Sequence, residues 1–169
     1  MSGNHQNNSS DTLVVSAFRP FTAFLKRRKH PSMDESREKP DPAELRVLAD
    51  ALEASWDHLT AYSGVFHPYN PAFGQCYPTS RVVQHFYPDF EIVRGEVWTG
   101  VSIERHFWNV RGTGEGFQLI DLSWQQFPPG SIRQRFEILD RNALGDREET
   151  KVRCNLLLAR VTKHLTIRK

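Results

Sequence analysis

From Pro42 onward the apolar positions follow a few clear periods. Leu45, Leu48, Leu52, Trp56 and Leu59 recur at three- and four-residue spacing, which predicts a helix with one apolar face. Asp41-Pro42-Ala43-Glu44 opens it with an N-cap, a proline at the first helical position and a capping-box glutamate. A loop rich in proline and aromatic residues follows from Tyr62 to Gln75, including His67-Pro68-Tyr69-Asn70-Pro71. A second helix is predicted from Cys76 to Tyr87, with Thr79, Val82, Val83 and Phe86 inward. Pro88 ends it, because its ring disfavours the helical region for the residue before it.

The middle of the chain reads as sheet. Glu91 to Trp98, Arg105 to Arg111 and Phe117 to Leu122 are candidate strands, the last two joined by the glycine-rich stretch from Gly112 to Gly116. Phe136 to Leu139 reads as a short strand or a helical turn. From Asp146 a charged start gives way to Val152, Cys154, Leu157, Leu158, Val161 and Leu165, an amphipathic C-terminal helix. The order helix, cysteine helix, strands, helix is that of an α+β fold with an antiparallel sheet, not of alternating βαβ units.

Residues 1–39 differ from the rest. A simple polar opening is followed by Phe18, Phe21 and Phe24 and by the basic run Lys26 to Lys29. Pro20 interrupts any amphipathic helix there and no signal-peptide grammar is present, so the stretch reads as a mobile tail with a short aromatic and basic segment. Residues 40–169 read as a single α+β domain. The chain has 169 residues and a formal net charge of +2, from 22 basic and 20 acidic side chains. That balance gives no reason to expect nucleic acid as a partner. No apolar run approaches the roughly 18 residues that a spanning helix needs. Two cysteines cannot form a disulfide scaffold, and a reduced, cytoplasmic setting is the expectation.

The candidate chemistry starts at Cys76, which follows a loop and opens a predicted helix. Unpaired N–H groups and the helix dipole there favour a thiolate, the nucleophilic form. Cys154 sits on the apolar stripe of the last helix and reads as a small buried hydrophobe. Asp121 lies in the apolar run from Phe117 to Leu122, where an acid is costly without a partner. If the two strands close as a hairpin at Thr113-Gly114, residue 110 faces 117 and His106 faces Asp121 directly on one side of the sheet. A cysteine at a helix start, a histidine and then an acid supply a nucleophile, a base and an orienter.

Other residues admit two readings. Gln75 could donate to an oxyanion beside the Cys76 backbone N–H, or brace its loop. Trp108 shares the face of His106 and could shield it from water, or simply pack. Asn109 lies on the opposite face, where a structural hydrogen bond is expected over catalysis. His58 and His67 together with Cys76, His106 and Asp121 raise a zinc alternative, but no Cys-x-x-Cys or His-Glu-x-x-His spacing supports it, so no metal and no cofactor are assigned. The Gly112 to Gly116 stretch joins two strands and opens no helix, so it reads as a hairpin turn and not a phosphate loop.

Asn70-Pro71-Ala72-Phe73-Gly74-Gln75-Cys76-Tyr77-Pro78-Thr79, Arg94-Gly95-Glu96-Val97, His106-Phe107-Trp108-Asn109, Ile120-Asp121-Leu122-Ser123 and Gln126-Phe127 together resemble the bacterial YunG-like family, from roughly Asp41 to Leu165. The family is essentially uncharacterised. The His-x-Trp-Asn-Val stretch, the glycine-rich turn and Ile-Asp-Leu-Ser also resemble, more distantly, papain-like and transglutaminase-like thiol enzymes. That likeness implies a cysteine helix packed on a small antiparallel sheet, with Cys76, His106 and Asp121 as the catalytic set. Tyr77, Pro78 and Arg81 stand where small or apolar residues are expected after such a cysteine. The leading expectation is a cysteine hydrolase or acyltransferase acting on a peptide, protein or small acyl substrate through an acyl-enzyme on Cys76. The alternatives are a non-enzymatic peptide- or protein-binding module on the same fold, and an accessory protein tethered through its N-terminal segment.

Overall fold

A computed structural model of the chain describes residues 39–167. The tail read at residues 1–39 lies, but for Lys39, outside the described residues. Among the described residues three α-helices and four strands follow in the order α1 (Pro42–Glu53), α2 (Cys76–Phe86), β1 (Glu91–Trp98), β2 (Ile103–Arg111), β3 (Gln118–Ile120), β4 (Ile132–Ile138) and α3 (Glu148–Ile167). The strands form one antiparallel sheet in the order β3-β2-β1-β4. The domain is α+β, as the element order predicts.

Helix α1 starts where its cap dictates, the Asp41 carboxylate accepting from the Ala43 N–H at 2.8 Å. It stops at Glu53, sooner than the apolar period implies. The chain then turns, and Trp56 is buried by donating its indole N–H to the Thr79 hydroxyl at 3.2 Å, whereas Leu59 is exposed. Helix α2 packs on β2 and β1, and α3 packs on α2 and α1. Between them lies a core that includes Leu48, Leu52, Trp56, Val82, Val83, Phe90, Ile120, Leu157 and Val161. Burying each such aliphatic side chain contributes about 1.5–3 kcal/mol. Phe86 and Val152 depart from the amphipathic reading: both are exposed, because each sits at an end of its helix, beyond the reach of this core.

The two faces of the sheet have different tasks. Asn109 turns toward the helices and donates to the Ser80 carbonyl at 3.0 Å, while Phe107, on the same face, meets the Tyr77 ring edge-on at 4.9 Å. His106, Trp108 and Val110 alternate to the other face, where Val93 joins Trp108 and Val110 in a second apolar cluster. Gly95 makes room for the indole, since a Cβ there would come within 2.2 Å of Trp108. The ambiguous segment before Leu139 is a strand, and it begins earlier, at Ile132. As an edge strand it is largely exposed, so it lacks the alternation that marks a half-buried strand.

The β2–β3 register differs from the tight-hairpin expectation. Asn109 faces Ile120, Val110 faces Leu119 and Arg111 faces Gln118, two residues away from the predicted pairing. The connection uses six residues, Gly112 to Phe117, with a 3-10 turn at Gly114–Gly116. Gly112 adopts φ 74°, and a Cβ on it would stand 2.5 Å from the Gly116 carbonyl oxygen, so this turn requires glycine there. One step beyond the end of β3, this register sets Asp121 opposite Trp108, diagonal to His106.

Candidate functional site

The site is built on β2 where β3 has already ended. β3 pairs only with Asn109, Val110 and Arg111, so at His106 that edge of β2 has no strand neighbour among the described residues. The segment after β3, with Asp121 at its start and a 3-10 turn at Trp124–Gln126, and the first residue of α2 converge there instead.

His106 is fully buried. Its Nε2 lies 3.1 and 3.0 Å from the two carboxylate oxygens of Asp121. The even shift in register leaves both residues on one face, so a diagonal geometry brings together the pair that the sequence reading set directly opposite. Trp108 stacks on the imidazole with centroids 5.6 Å apart and 29° between planes, and Phe127 meets it edge-on at 4.8 Å. Water is thereby kept from the ring.

Asp121 is held by more than the histidine. Arg133 donates to Oδ2 at 2.6 Å, and the Ser123 N–H and hydroxyl approach Oδ1 at 3.3 and 3.4 Å. The Arg133 guanidinium lies 3.7 Å from the centroid of the Trp124 ring, which fixes its plane. Burial would raise the Asp121 pKa, but the hydrogen bonds and charges of His106 and Arg133 hold the carboxyl below its ordinary value.

Cys76 is half-buried at the first position of α2. It is one of the groups that raise the pKa of His106. Burial would lower the histidine's pKa; Asp121 and then Cys76 outweigh it and push it up to about 9. Both ring nitrogens are engaged, Nε2 by Asp121 and Nδ1 by the Gln126 amide nitrogen at 3.0 Å. Pro78 fits within the first helical turn, where its missing N–H costs nothing. Among the described residues no side chain caps the helix, so the N–H groups of Cys76 and Tyr77 in the first turn are left uncapped.

Gln75 braces its loop. Its side chain is fully buried and donates to the Asp57 carbonyl at 2.9 Å. Asp57 is itself fixed by an ion pair with Arg160 at 2.9 Å and by the N–H groups of Leu59 and Thr60, so the residue before Cys76 is anchored to the turn that follows α1. Asn109 ties β2 to α2 on the face away from the histidine, as expected of a structural amide. His67 packs edge-on against Phe73 at 4.9 Å. Among the described residues no three His, Cys, Asp or Glu side chains are grouped so as to hold a metal ion.

Sequence reasoning did not single out Gln126 or Arg133 as site residues. The Gln126 amide nitrogen lies 3.0 Å from His106 Nδ1 and donates to the Ser123 carbonyl at 3.1 Å. Asn70, from the loop before Cys76, holds the Gln126 backbone by donating to its carbonyl at 2.9 Å. Gln126 carries a signal in the Gln126-Phe127 motif; Arg133 carries none, because it lies on an edge strand whose start has no periodicity.

The second cysteine stands apart. Cys154 is buried on α3, and burial pushes its thiol up to about 11. Among the described residues no helix is long and apolar enough to cross a membrane. No curated protein and no solved structure matches the chain. A family model described as "YunG protein" matches residues 44–166, a span that holds all three elements meeting at His106 and most of the 169 residues. The chain belongs to the YunG family.

Proposed function

We propose that this protein is a cysteine-dependent hydrolase or acyltransferase with a papain-like arrangement, acting on an amide, isopeptide or ester. The observation that carries this reading is a buried imidazole with Asp121 on Nε2 and with Cys76, at the start of α2, near enough to raise the ring's pKa. A thiol and an acid flanking one histidine is the constellation that acyl transfer through sulfur needs.

The steps follow from these residues. His106 takes the thiol proton, and the Cys76 sulfur attacks the acyl carbon to give a tetrahedral oxyanion. The first-turn N–H groups of α2, where Cys76 stands, are offered as donors for that oxygen. Collapse breaks the bond to the leaving amine or alcohol, which carries away the proton from the imidazolium, and leaves a thioester. Water or an acceptor amine then attacks, giving its proton to His106. The C–S bond breaks, and the proton returns to the sulfur. Asp121 stabilises the imidazolium and fixes the ring tautomer throughout, without itself accepting a proton.

The test is labelling with iodoacetamide and with electrophilic acyl probes, read by mass spectrometry on the intact protein. Cys76 should label first, and an ester probe should leave an acyl adduct that hydroxylamine removes. Wild-type protein that labels at Cys76 no faster than an unfolded control would remove the enzymatic reading and favour a binding module. The exposed apolar side chains Trp98, Val101, Ile103 and Ile132, gathered where β1 meets β2 and β4, favour that second reading.

A further inference from the structure

Asp121 secures one side of the His106 ring, and a different residue holds the other. Gln126 reaches Nδ1 from the 3-10 turn at Trp124–Gln126, and its orientation is fixed independently of the histidine. Its amide nitrogen donates to the Ser123 carbonyl, so turning the amide over would set two oxygens against each other. The group presented to Nδ1 at 3.0 Å is therefore an N–H donor, and a donor is matched there only by an unprotonated nitrogen. On the far side the Asp121 carboxylate accepts from Nε2. The two contacts together specify the neutral ring with its hydrogen on Nε2.

We infer that Gln126 is a positioning residue that holds His106 as a neutral Nε2–H base, and that this amide must leave Nδ1 when the ring takes a proton from the thiol. The inference deepens the thiol-enzyme reading and rests on it for its catalytic meaning. The charged groups that bear on the ring are Asp121 from the segment after β3, Cys76 from α2, and Arg133 from β4 acting through Asp121. The remaining neighbours, Trp108, Trp124 and Phe127, carry no charge. Asp121 and Cys76 favour imidazolium; Gln126 opposes them, because a hydrogen bond to the unprotonated nitrogen stabilises the neutral form. A base that starts protonated cannot take a proton, so the opposition favours the form of His106 that can. Once Nδ1 carries a proton, the displaced Gln126 amide is a free donor within the site.

The experiment is heteronuclear NMR of the imidazole nitrogens in the full chain across pH, with His106 assigned by its loss in His106→Gln. Wild-type protein should show the Nε2–H tautomer on the alkaline side of the transition; an Nδ1–H tautomer there would overturn the inference. Gln126→Met should move the His106 midpoint up by about one pH unit, the scale of one buried hydrogen bond lost from the neutral form. Gln126→Glu should move it further, because a carboxylate accepts from Nδ1–H. Midpoints unchanged in both folded variants would also overturn it. Repeating the titration in Cys76→Ser separates the two readings. If Cys76 proves unreactive while Gln126 still shifts His106, only the enzyme reading falls. If Cys76 reacts while Gln126 variants leave His106 unmoved, only the role given to Gln126 falls.

Discussion

His106 and Asp121 are bonded through Nε2 to both carboxylate oxygens, at 3.1 and 3.0 Å, although the strand register sets Asp121 opposite Trp108. The acid reaches the histidine diagonally from just beyond β3, which leaves its remaining lone pairs free for Ser123 and Arg133. Both residues are almost fully buried, so the pair is shielded from water and from salt.

The pair makes stability depend on pH in two windows. His106 has its folded pKa raised from 6.5 to about 9, so its contribution is complete below 6.5 and is lost as pH rises through about 9. Asp121 is held below 3.8, so its contribution is present above that value and is lost as pH falls beneath it. Urea unfolding across pH should show stability declining between about 6.5 and 9 in the wild type. That decline should flatten in Asp121→Asn.

Asp121→Asn also tests whether the acid matters to the sulfur. Iodoacetamide should label Cys76 more slowly at neutral pH in this variant, and more slowly still in His106→Ala, because each loses part of the imidazolium that stabilises a neighbouring thiolate. Equal rates in all three folded proteins would show that the histidine does not activate Cys76.

Arg133→Leu removes the cation that Asp121 shares with Trp124. A stability loss of about 1–2 kcal/mol is expected from the lost charged hydrogen bond and ring contact. The loss should persist at high salt, because the Asp121 side chain is only 2 % exposed. A loss abolished by salt would mean that the contact is a screened surface pair.

Gly95→Ala tests how tightly the wall of the histidine pocket is packed. The new methyl group would stand 2.2 Å from the Trp108 indole, which must move, and overpacking of this kind costs about 1–3 kcal/mol. Because Trp108 stacks on His106, its fluorescence and the histidine's NMR resonances should change together. A variant as stable as wild type with unchanged Trp emission would contradict this packing.

Cys154→Ala should cost on the order of 1 kcal/mol and leave thiol labelling of the native protein unchanged. Cys154 is buried with its thiol pushed up to about 11. If native Cys154 labelled before Cys76, the nucleophile would have been assigned to the wrong sulfur.

Local chemistry and period are enough to specify several features. Asp41 and Pro42 fix the start of α1, Pro88 stops α2, and the three- and four-residue spacing around Leu157 buries Cys154. Alternation along a strand put His106 and Trp108 on one face and Asn109 on the other, and a buried acid demanded a partner. These inferences survive a register error of two, because an even slip keeps every side chain on its own face. The six-residue turn that opens at Gly112 emerges from the folded chain alone, since turn geometry depends on backbone conformations that a glycine-rich run leaves open. The tertiary fold also decides that Gln75 serves Asp57 while Gln126 and Arg133 reach the histidine and its acid. Those contacts join segments distant in the chain through flexible side chains, and no period or local propensity records where a long side chain ends.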